Sequence, residues 1–345
     1  MNGGSSSGSR EPSDWIKRWR PWHWKSLRSI SRSERKGTVS MTKNIERVLG
    51  AMYGVAVSDA LGGPVEFMDA DAIARQYGVL DKMVGGGWLS LAPGETTDDT
   101  AMTLAVAEGI MANPDRPVGY IGENFISWAQ SGPKDIGGTC SGAIARASQI
   151  LKCGSPTPEE AWREASREVM QNNGGRSGGN GALMRTAPVG CAYFSVADCG
   201  RHAREIAEMT HMDEASSEIC AAYSKAIMLY TKDRGADAVR EVEWLESLIH
   251  RWKEPTMAVH PSGWVVDSMD CALRAIMAAG GDTKKAIVTA INYGGDADTI
   301  GAITGGLVGA RNGIDSIPKE WMAALPKDIC RRIDAFADFC ANAGA

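Results

Sequence analysis

The chain has 345 residues, of which 43% are apolar and 40 are glycine, which is typical of a packed globular protein with one or two domains. No uninterrupted apolar run approaches the roughly 18 residues that a membrane-spanning helix needs, so no membrane span is expected. The net charge of −5 is uneven, because nine Lys and Arg against three acidic residues give residues 1–40 a charge of +6 and leave −11 for the rest. The acidic remainder disfavours nucleic acid as a partner.

The eight cysteines are scattered and contain no C-x-x-C pair. This spacing favours buried, reduced thiols over a zinc site or a disulfide framework. The N-terminus lacks the charged-then-apolar order of a secretory signal. We therefore expect a cytoplasmic protein.

Residues 1–40 differ from the remainder in composition and have no persistent amphipathic pattern. They are predicted to form a flexible, basic arm, and residues 41–345 are predicted to form one domain. Prolines interrupt the arm, and four of the eleven tryptophans of the chain lie in it, namely Trp15, Trp19, Trp22 and Trp24. Exposed tryptophans are enriched at binding interfaces, so we expect the arm to become ordered on a partner. The alternative is an upstream extension without function, since Met41 could itself be a start codon.

From Lys43 onward apolar residues recur at helical spacing and lead into Asp59. Gly62, Gly63 and Pro64 are predicted to stop this helix, which places Glu66 on the following loop. Asp59 is expected either to help bind a metal or to face solvent. Glu66 is a catalytic candidate, because catalytic groups are drawn disproportionately from loops.

Two acidic segments each run directly into an apolar helical pattern: Thr97-Asp98-Asp99-Thr100 and Asp296-Ala297-Asp298-Thr299. In the second segment, Asp298 or Thr299 is predicted to cap the helix. On its own that segment is more often a structural helix start than an ion site. In the first segment, however, capping requires only one residue, so at least one of its two aspartates is left without a structural explanation. Several oxygen ligands without sulfur or imidazole suit a pair of hard divalent cations. We interpret the two segments as halves of one metal site.

Two glycine-rich loops lie between these segments. Asp135 occupies the first, where Pro, Lys and two glycines surround it, and is either a turn former or a functional acid. Residues 172–185 form the second, and its glycines and amides are typical of a cradle for phosphate or sugar. It lacks the Lys-Ser/Thr ending of a P-loop, and a plain flexible turn is the alternative.

The remaining chain reads as successive helices without alternating strand patterns or internal repeats, which predicts an all-α fold with a single compact multi-helix domain. His211 lies at a helix junction. Predicted helices cover residues 118–129, 197–209, 216–230, 236–252, 264–279, 284–292 and 328–339.

An oxygen-only dinuclear centre beside a glycine cradle predicts hydrolysis of a nucleotide–sugar bond, with Glu66 or Asp135 as general acid or base. Phosphoester hydrolysis by the same two metals is the alternative, because the ligand set alone does not choose between carbon and phosphorus as the site of attack.

Three stretches, in order, resemble the ADP-ribosylglycohydrolase family, which includes the enzymes that remove ADP-ribose from modified arginine on bacterial and animal proteins. They are residues 54–62 with Glu66, residues 97–100 and residues 294–299. Ser58 stands where the family usually has glycine. The resemblance covers the chain from about residue 45 to residue 339 and implies an all-α fold with two Mg²⁺ or Mn²⁺ ions.

The resemblance also implies a role for each matching residue. Asp135 would be the acid or base, as in arginine-specific bacterial relatives, and Glu66 would contact metal and gate the site. The implied metal ligands are Thr97, Asp98, Asp99, Asp296, Asp298 and Thr299. The implied substrate contacts are Gly178, Gly179, Asn180, Gly181, Met184, Arg185 and His211.

The basic arm lies outside the common family pattern. It resembles the extension of antibacterial immunity proteins built on this fold, which protect against an ADP-ribosyltransferase toxin. This likeness implies a second function, in which residues 1–40 block the toxin directly without any metal. The sequence does not decide between Mg²⁺ and Mn²⁺, the modified target or the oligomeric state.

Overall fold

A computed structural model describes residues 41–154 and 157–343. Over these residues the chain forms fifteen α-helices, three 3₁₀ segments and no β-strand, which confirms the predicted all-α class. The predictions for residues 1–40, including Trp15, Trp19, Trp22 and Trp24, fall outside the described residues.

The predicted helices agree with the structure to within four residues at each end, whereas the helices at 70–77, 158–172 and 319–324 are not among the predicted elements. The α-helices are α1 Met41–Gly62, α2 Ala70–Tyr77, α3 Asp98–Ala112, α4 Val118–Gln130, α5 Gly138–Lys152, α6 Pro158–Asn172, α7 Ala187–Ala192, α8 Val196–Glu208, α9 Glu214–Thr231, α10 Gly235–Ile249, α11 Val265–Ala279, α12 Thr283–Ile291, α13 Ala297–Asn312, α14 Lys319–Ala324 and α15 Lys327–Ala343. The 3₁₀ segments are Gly63–Val65, Asn180–Arg185 and Ile314–Ser316.

Helices α1 and α13 touch backbone to backbone. A Cβ placed on Gly54 would lie 2.1 Å from the carbonyl oxygen of Gly305, and one on Gly309 would lie 2.0 Å from that of Gly50. Such contact is possible only where glycine stands on both helices. Since residue numbers rise along α1 as those of their contacts fall along α13, the helices are antiparallel. The end of α1 therefore meets the beginning of α13.

Helix α9 completes the centre of the protein. Fifteen of its eighteen residues are buried, and it packs against α7, α8, α10, α11 and α13. A helix that is apolar on all sides belongs in the interior, whereas outer helices such as α6 and α8 bury only one face.

Residues 44–65 are long and apolar enough, by length and composition, to cross a membrane. In the structure, however, 94% of the apolar window in this segment is buried inside the protein. The segment is the core helix α1, which explains why it is apolar.

Three isolated β-bridges fasten loops on the side of the protein where the helix ends meet. Each bridge has glycine on at least one side, and the pairs are Asp69 with Gly294, Gly86 with Leu91, and Gly179 with Trp264. These loops therefore have fixed positions, although they contain little regular structure.

Candidate active site

Three helix ends meet at a buried acidic cluster. Helix α1 contributes Asp59 near its end, and α3 and α13 begin at the two acidic segments. The close packing of α1 on α13 sets this arrangement, because a Cβ on Gly62 would lie only 2.5 Å from the Cα atom of Asp298. The structure thus brings together the two segments that we predicted to be halves of one site.

Asp59 is fully buried and does not face solvent, so that expectation was wrong. Its carboxylate accepts hydrogen bonds from the backbone N–H of Thr97 at 3.0 Å and of Thr100 at 3.0 Å. It also accepts from the Thr97 hydroxyl at 2.9 Å and from the Thr100 hydroxyl. Asp59 therefore anchors the first turn of α3 to α1.

The sequence contained a signal for this role. Asp59 is the only charged residue from residue 48 to residue 65, and every residue from 50 to 66 is buried. A charge in such a position requires a partner.

Hydrogen bonds also join the acidic segments to each other. The Thr299 hydroxyl donates to Asp99 Oδ2 at 3.1 Å, and the Thr97 hydroxyl lies 3.5 Å from Asp298 Oδ2. Each threonine therefore links its own segment to a carboxylate of the other.

Helix α13 begins two or three residues earlier than its predicted caps imply. Asp296 is the N-cap, and its side chain makes no capping hydrogen bond, so the prediction that Asp298 or Thr299 caps the helix was wrong. Gly294 and Gly295 take φ angles of 73° and 63°, and the Asp296 N–H donates to Pro261 O at 3.1 Å. This tight turn starts the helix early and leaves the Asp296 carboxylate free of the helix.

Glu66, Asp296 and Asp298 each place a carboxylate oxygen so that the three oxygens lie within 4.8 Å of one another. A divalent cation bound by oxygen ligands at about 2.0–2.6 Å could contact all three. The loop position predicted for Glu66 is observed, because it follows the 3₁₀ segment Gly63–Val65.

Burial dominates the electrostatics of the cluster. It raises the pKa of Asp98, Asp99 and Asp298 well above the usual range, and neighbouring carboxylates raise these pKa values further. Burial also raises the pKa of Glu66 to about 7 and that of Asp59 to about 6, although hydrogen bonds act in the opposite direction. The carboxylates of the cluster therefore repel one another when they are ionised, and a bound cation would relieve this repulsion.

The donor set fits a hard divalent cation. Asp99 Oδ1 is buried and has no hydrogen-bond partner within the described part of the chain. In that same part, none of the clustered carboxylates forms an ion pair with Lys or Arg. An unpartnered buried carboxylate oxygen is costly, and a bound cation would satisfy it.

Asp135 lies beside Asp98 on the loop between α4 and α5. It is half-buried, the two carboxyl groups are within hydrogen-bonding reach, and burial raises the pKa of Asp135. The adjacent Lys134 forms an ion pair with Glu95 at 2.7 Å, which fastens the loop next to the start of α3. Both predicted acid–base candidates, Asp135 and Glu66, therefore border the cluster.

The glycine-rich loop is tied to the cluster through Asn180. The side-chain amide of Asn180 donates to Asp296 Oδ2 at 2.7 Å and to Ser268 Oγ at 2.9 Å, and its backbone N–H donates to Gly263 O at 2.9 Å. Gly178 O accepts from Val265 N–H at 2.9 Å. The loop is therefore held in place, unlike the flexible turn considered as the alternative.

His211 packs against this loop. A Cβ on Gly179 would lie 3.0 Å from His211 Nε2, and one on Gly181 would lie 3.2 Å from Cε1 of the ring. Burial, and then the charge of Arg185, lower the pKa of His211 to about 3, so the ring is neutral. Thr210 Oγ1 lies 2.7 Å from Nδ1.

Arg185 and Met184 lie behind the loop. Arg185 is 0% exposed and donates to Gly181 O at 2.8 Å, Thr210 Oγ1 at 2.7 Å and Ile206 O at 3.0 Å. The Met184 side chain belongs to the hydrophobic core. Both residues support the loop and the histidine from within the protein.

The sequence did not single out two exposed aromatic residues at the edge of the site. Trp88 is 53% exposed and donates its indole N–H to Glu66 Oε2 at 2.7 Å. Phe67 is 69% exposed, and its ring centroid lies 5.7 Å from that of Trp88. The two rings therefore lie beside the Glu66 carboxylate and are largely open to solvent.

The comparisons with known proteins agree with this geometry. A sequence model of the family described as ADP-ribosylglycohydrolase matches residues 40–344. The chain belongs to the ADP-ribosylglycohydrolase family. This confirms the resemblance noted in the sequence.

Named members of the family are similar over most of their length. The ADP-ribosyl-[dinitrogen reductase] glycohydrolase of Rhodospirillum rubrum is 36% identical over 300 residues, covering 84% of this chain and 95% of the relative. The ADP-ribosylarginine hydrolase Tri1 of Pseudomonas putida is 28% identical over 298 residues, covering 83% and 76%.

A solved structure shares the fold. The structure titled "ADP-ribosylglycohydrolase-related protein complex" superposes with a TM-score of 0.71 at 27% identity, covering 88% of this chain and 100% of the other. A hydrolase of this family with an acidic cluster able to bind metal therefore accounts for the fold and the site together.

Proposed function

We propose that this protein removes ADP-ribose from modified arginine side chains in a reaction that depends on two divalent cations, Mg²⁺ or Mn²⁺. The observation that carries the proposal is the buried carboxylate cluster, in which Asp99 Oδ1 lacks a partner among the described residues. The printed name of the Pseudomonas putida relative, ADP-ribosylarginine hydrolase, supports the choice of arginine.

The cations would be held from two sides of the cluster. Bound there, they would supply Lewis-acid chemistry that polarises ribose oxygens and a water molecule. The ligands would be Thr97, Asp98 and Asp99 on the α3 side and Asp296, Asp298 and Thr299 on the α13 side.

The glycine-rich loop is the proposed contact for ADP-ribose. Gly178, Gly179, Asn180 and Gly181 present backbone beside the cluster, and the loop is already fixed to α11 and to Asp296. Neutral His211 would face the substrate across the glycines. Met184 and Arg185 would act from behind, by holding the loop and the histidine in place.

Asp135 is the proposed general acid. The bond between C1″ of the distal ribose and the guanidine nitrogen breaks, water supplies the hydroxyl group on C1″, and the nitrogen leaves with a proton. Asp135 can deliver that proton because it lies on a loop beside Asp98, at the edge of the cluster. Glu66, which is closer to Asp296 and Asp298, would contact metal and control access.

The cell compartment and the arm complete the proposal. We place the reaction in the cytoplasm, since all eight cysteines are free thiols.

Trp15, Trp19, Trp22 and Trp24 are proposed to bind a partner, an ADP-ribosyltransferase toxin. If so, deletion of residues 1–40 weakens toxin affinity even in a catalytically inactive background, and unchanged affinity would dismiss that role.

Product analysis tests the enzymatic proposal. Arginine-, serine- and thymidine-linked ADP-ribose are incubated with the protein and Mg²⁺ or Mn²⁺, and we expect free ADP-ribose from the arginine conjugate. Asp98→Ala and Asp296→Ala should abolish this release. Release of AMP would instead favour phosphoester hydrolysis, and release that survives both substitutions would refute the proposed site.

A further inference from the structure

The indole of Trp88 contacts the carboxylate of Glu66 at the edge of the acidic cluster. Its N–H donates to Glu66 Oε2 at 2.7 Å, and an oxygen of Glu66 lies within 4.8 Å of oxygens of Asp296 and Asp298. We propose that Trp88 is a positioning residue that holds the Glu66 carboxylate over the acidic cluster. This inference rests on the role proposed above for Glu66 and extends it to a second residue.

Repulsion between the carboxylates of Glu66, Asp296 and Asp298 makes a restraint on the Glu66 side chain necessary. Glu66 lies on a loop, and its side chain could rotate away from the carboxylates of Asp296 and Asp298 towards water. The hydrogen bond from the indole N–H to Glu66 Oε2 opposes this rotation, and it is strongest when the carboxylate is ionised.

The chemistry of indole also suits a cation site. Trp88 donates a hydrogen bond without carrying a charge, whereas Lys or Arg in its place would neutralise Glu66 and repel a divalent cation. The carboxylate is therefore oriented while its negative charge stays available for a cation.

The loop that carries Trp88 is fixed at its base. Gly86 and Leu91 exchange backbone hydrogen bonds of 2.7 and 2.8 Å, which close the loop. A Cβ on Gly87, whose φ is 68°, would lie 2.8 Å from Pro64 O, so the loop touches the turn immediately before Glu66. The indole and the carboxylate are thus positioned by one local unit.

Phe67 ties this unit to the acidic segment of α13. It has a φ of 65°, which is strained for a bulky residue, and its N–H donates to Gly295 O at 2.7 Å. Its ring rests beside that of Trp88 with 69% of its surface exposed. A strained and exposed phenylalanine is better explained by a function at this edge than by stability.

The substitution Trp88→Phe tests the proposal, because it keeps an aromatic ring beside Phe67 and removes only the N–H donor. Trp244→Phe is the matched control, since Trp244 is 51% exposed and lies on α10. With the arginine conjugate we expect Trp88→Phe to lower kcat by about 10-fold or more and to change KM by less than about 3-fold. The control should leave both constants unchanged.

A double-mutant cycle with Glu66→Ala separates positioning from a general structural effect. Mn²⁺ affinity, measured by calorimetry, should fall by about 3-fold or more for Trp88→Phe in the wild-type background, and by less than about 2-fold when Glu66 is already alanine. An equal loss in both backgrounds, or no loss in either, would overturn the proposal. The calorimetric result does not depend on turnover, so failure to release ADP-ribose would refute the proposed function separately.

Discussion

The Thr299 hydroxyl donates a hydrogen bond of 3.1 Å to Asp99 Oδ2, although the two residues are 200 positions apart in the chain. This bond joins the first turns of α13 and α3, and it satisfies one of the two oxygens of Asp99. The other oxygen, Oδ1, is buried and unpartnered within the described residues. Asp99 is therefore held in place by the fold while one oxygen remains available to a ligand.

Asp99→Asn is expected to stabilise the metal-free protein and to remove its response to metal. The amide oxygen can keep the bond to Thr299, while the loss of charge relieves repulsion from Asp98 and Asp298. A gain of about 1 kcal/mol corresponds to roughly 2 °C in melting temperature for a large domain. In the wild type, Mn²⁺ at about 100 times its Kd should add about 2.7 kcal/mol of stability.

Thermal melts in EDTA and in Mn²⁺ measure both effects. Asp71→Asn is the control, because Asp71 is exposed on α2 and is not one of the clustered carboxylates. A wild-type protein that melts at the same temperature with and without Mn²⁺ would contradict the metal site. So would an Asp99→Asn variant that responds to Mn²⁺ as fully as the wild type.

Asp59→Ala is expected to destabilise the fold by about 3 kcal/mol or more, because it leaves buried donors of Thr97 and Thr100 without their charged acceptor. It should also lower activity, since the first turn of α3 carries Asp98 and Asp99. Urea denaturation and ADP-ribose release measure the two effects.

A capping aspartate on the surface provides the comparison for Asp59. Asp282 accepts the Lys285 N–H at 2.6 Å at the start of α12, and Asp282→Ala should cost only about 1 kcal/mol without loss of activity. Equal costs for the two substitutions would show that Asp59 is an ordinary helix-anchoring group.

The parts of the site that the sequence predicted are local. Each acidic helix start, the glycine break before Glu66 and the glycine-rich loop are visible within a few positions of the chain. Helix α6 was equally visible, because Thr157 caps it and Pro158 occupies its first turn. The sequence therefore contains a start signal for α6.

The parts that the sequence did not predict depend on helix packing. Asp59 meets Thr97 across 38 positions because α1 ends where α3 begins. Asn180 meets Asp296 across 116 positions because the glycine-rich loop reaches the start of α13. The contact between Trp88 and Glu66 spans 22 positions and depends on a loop with three consecutive glycines at positive φ. No local pattern specifies such pairs.

The contact between α1 and α13 predicts that Gly54 tolerates no side chain. Gly54→Ala would place a methyl group 2.1 Å from Gly305 O, which forces the helices apart and should cost about 3 kcal/mol or more. Separation of the helices also moves Asp59 away from Asp298, so activity should fall as well. Urea denaturation and product release measure this outcome.

Gly142→Ala is the control, because Gly142 lies within α5 and its added methyl group would make only ordinary contact, 3.4 Å from Val169. Alanine is the better helix former, so this variant should be as stable as the wild type or more stable by up to about 1 kcal/mol. Equal stability of the Gly54 and Gly142 variants would contradict the close helix contact.

His211 provides a prediction about pH. Its pKa is lowered to about 3 by burial and then by the charge of Arg185, whereas an unfolded histidine has a pKa of about 6.5. The unfolded state therefore binds the proton more readily. The stability contributed by neutral His211 is fully present above about pH 6.5 and falls by on the order of 1 kcal/mol per pH unit below that.

Other buried groups also titrate in acid, so the prediction concerns the difference between the wild type and His211→Gln. The stability advantage of the wild type should shrink as pH falls from about 6.5 to 5, because glutamine takes up no proton. In NMR spectra the ring signals of His211 should not shift between about pH 5 and 8. A midpoint near 6.5 would mean that the ring is charged in the folded protein at mild acidity, and would remove neutral His211 from the proposed substrate site.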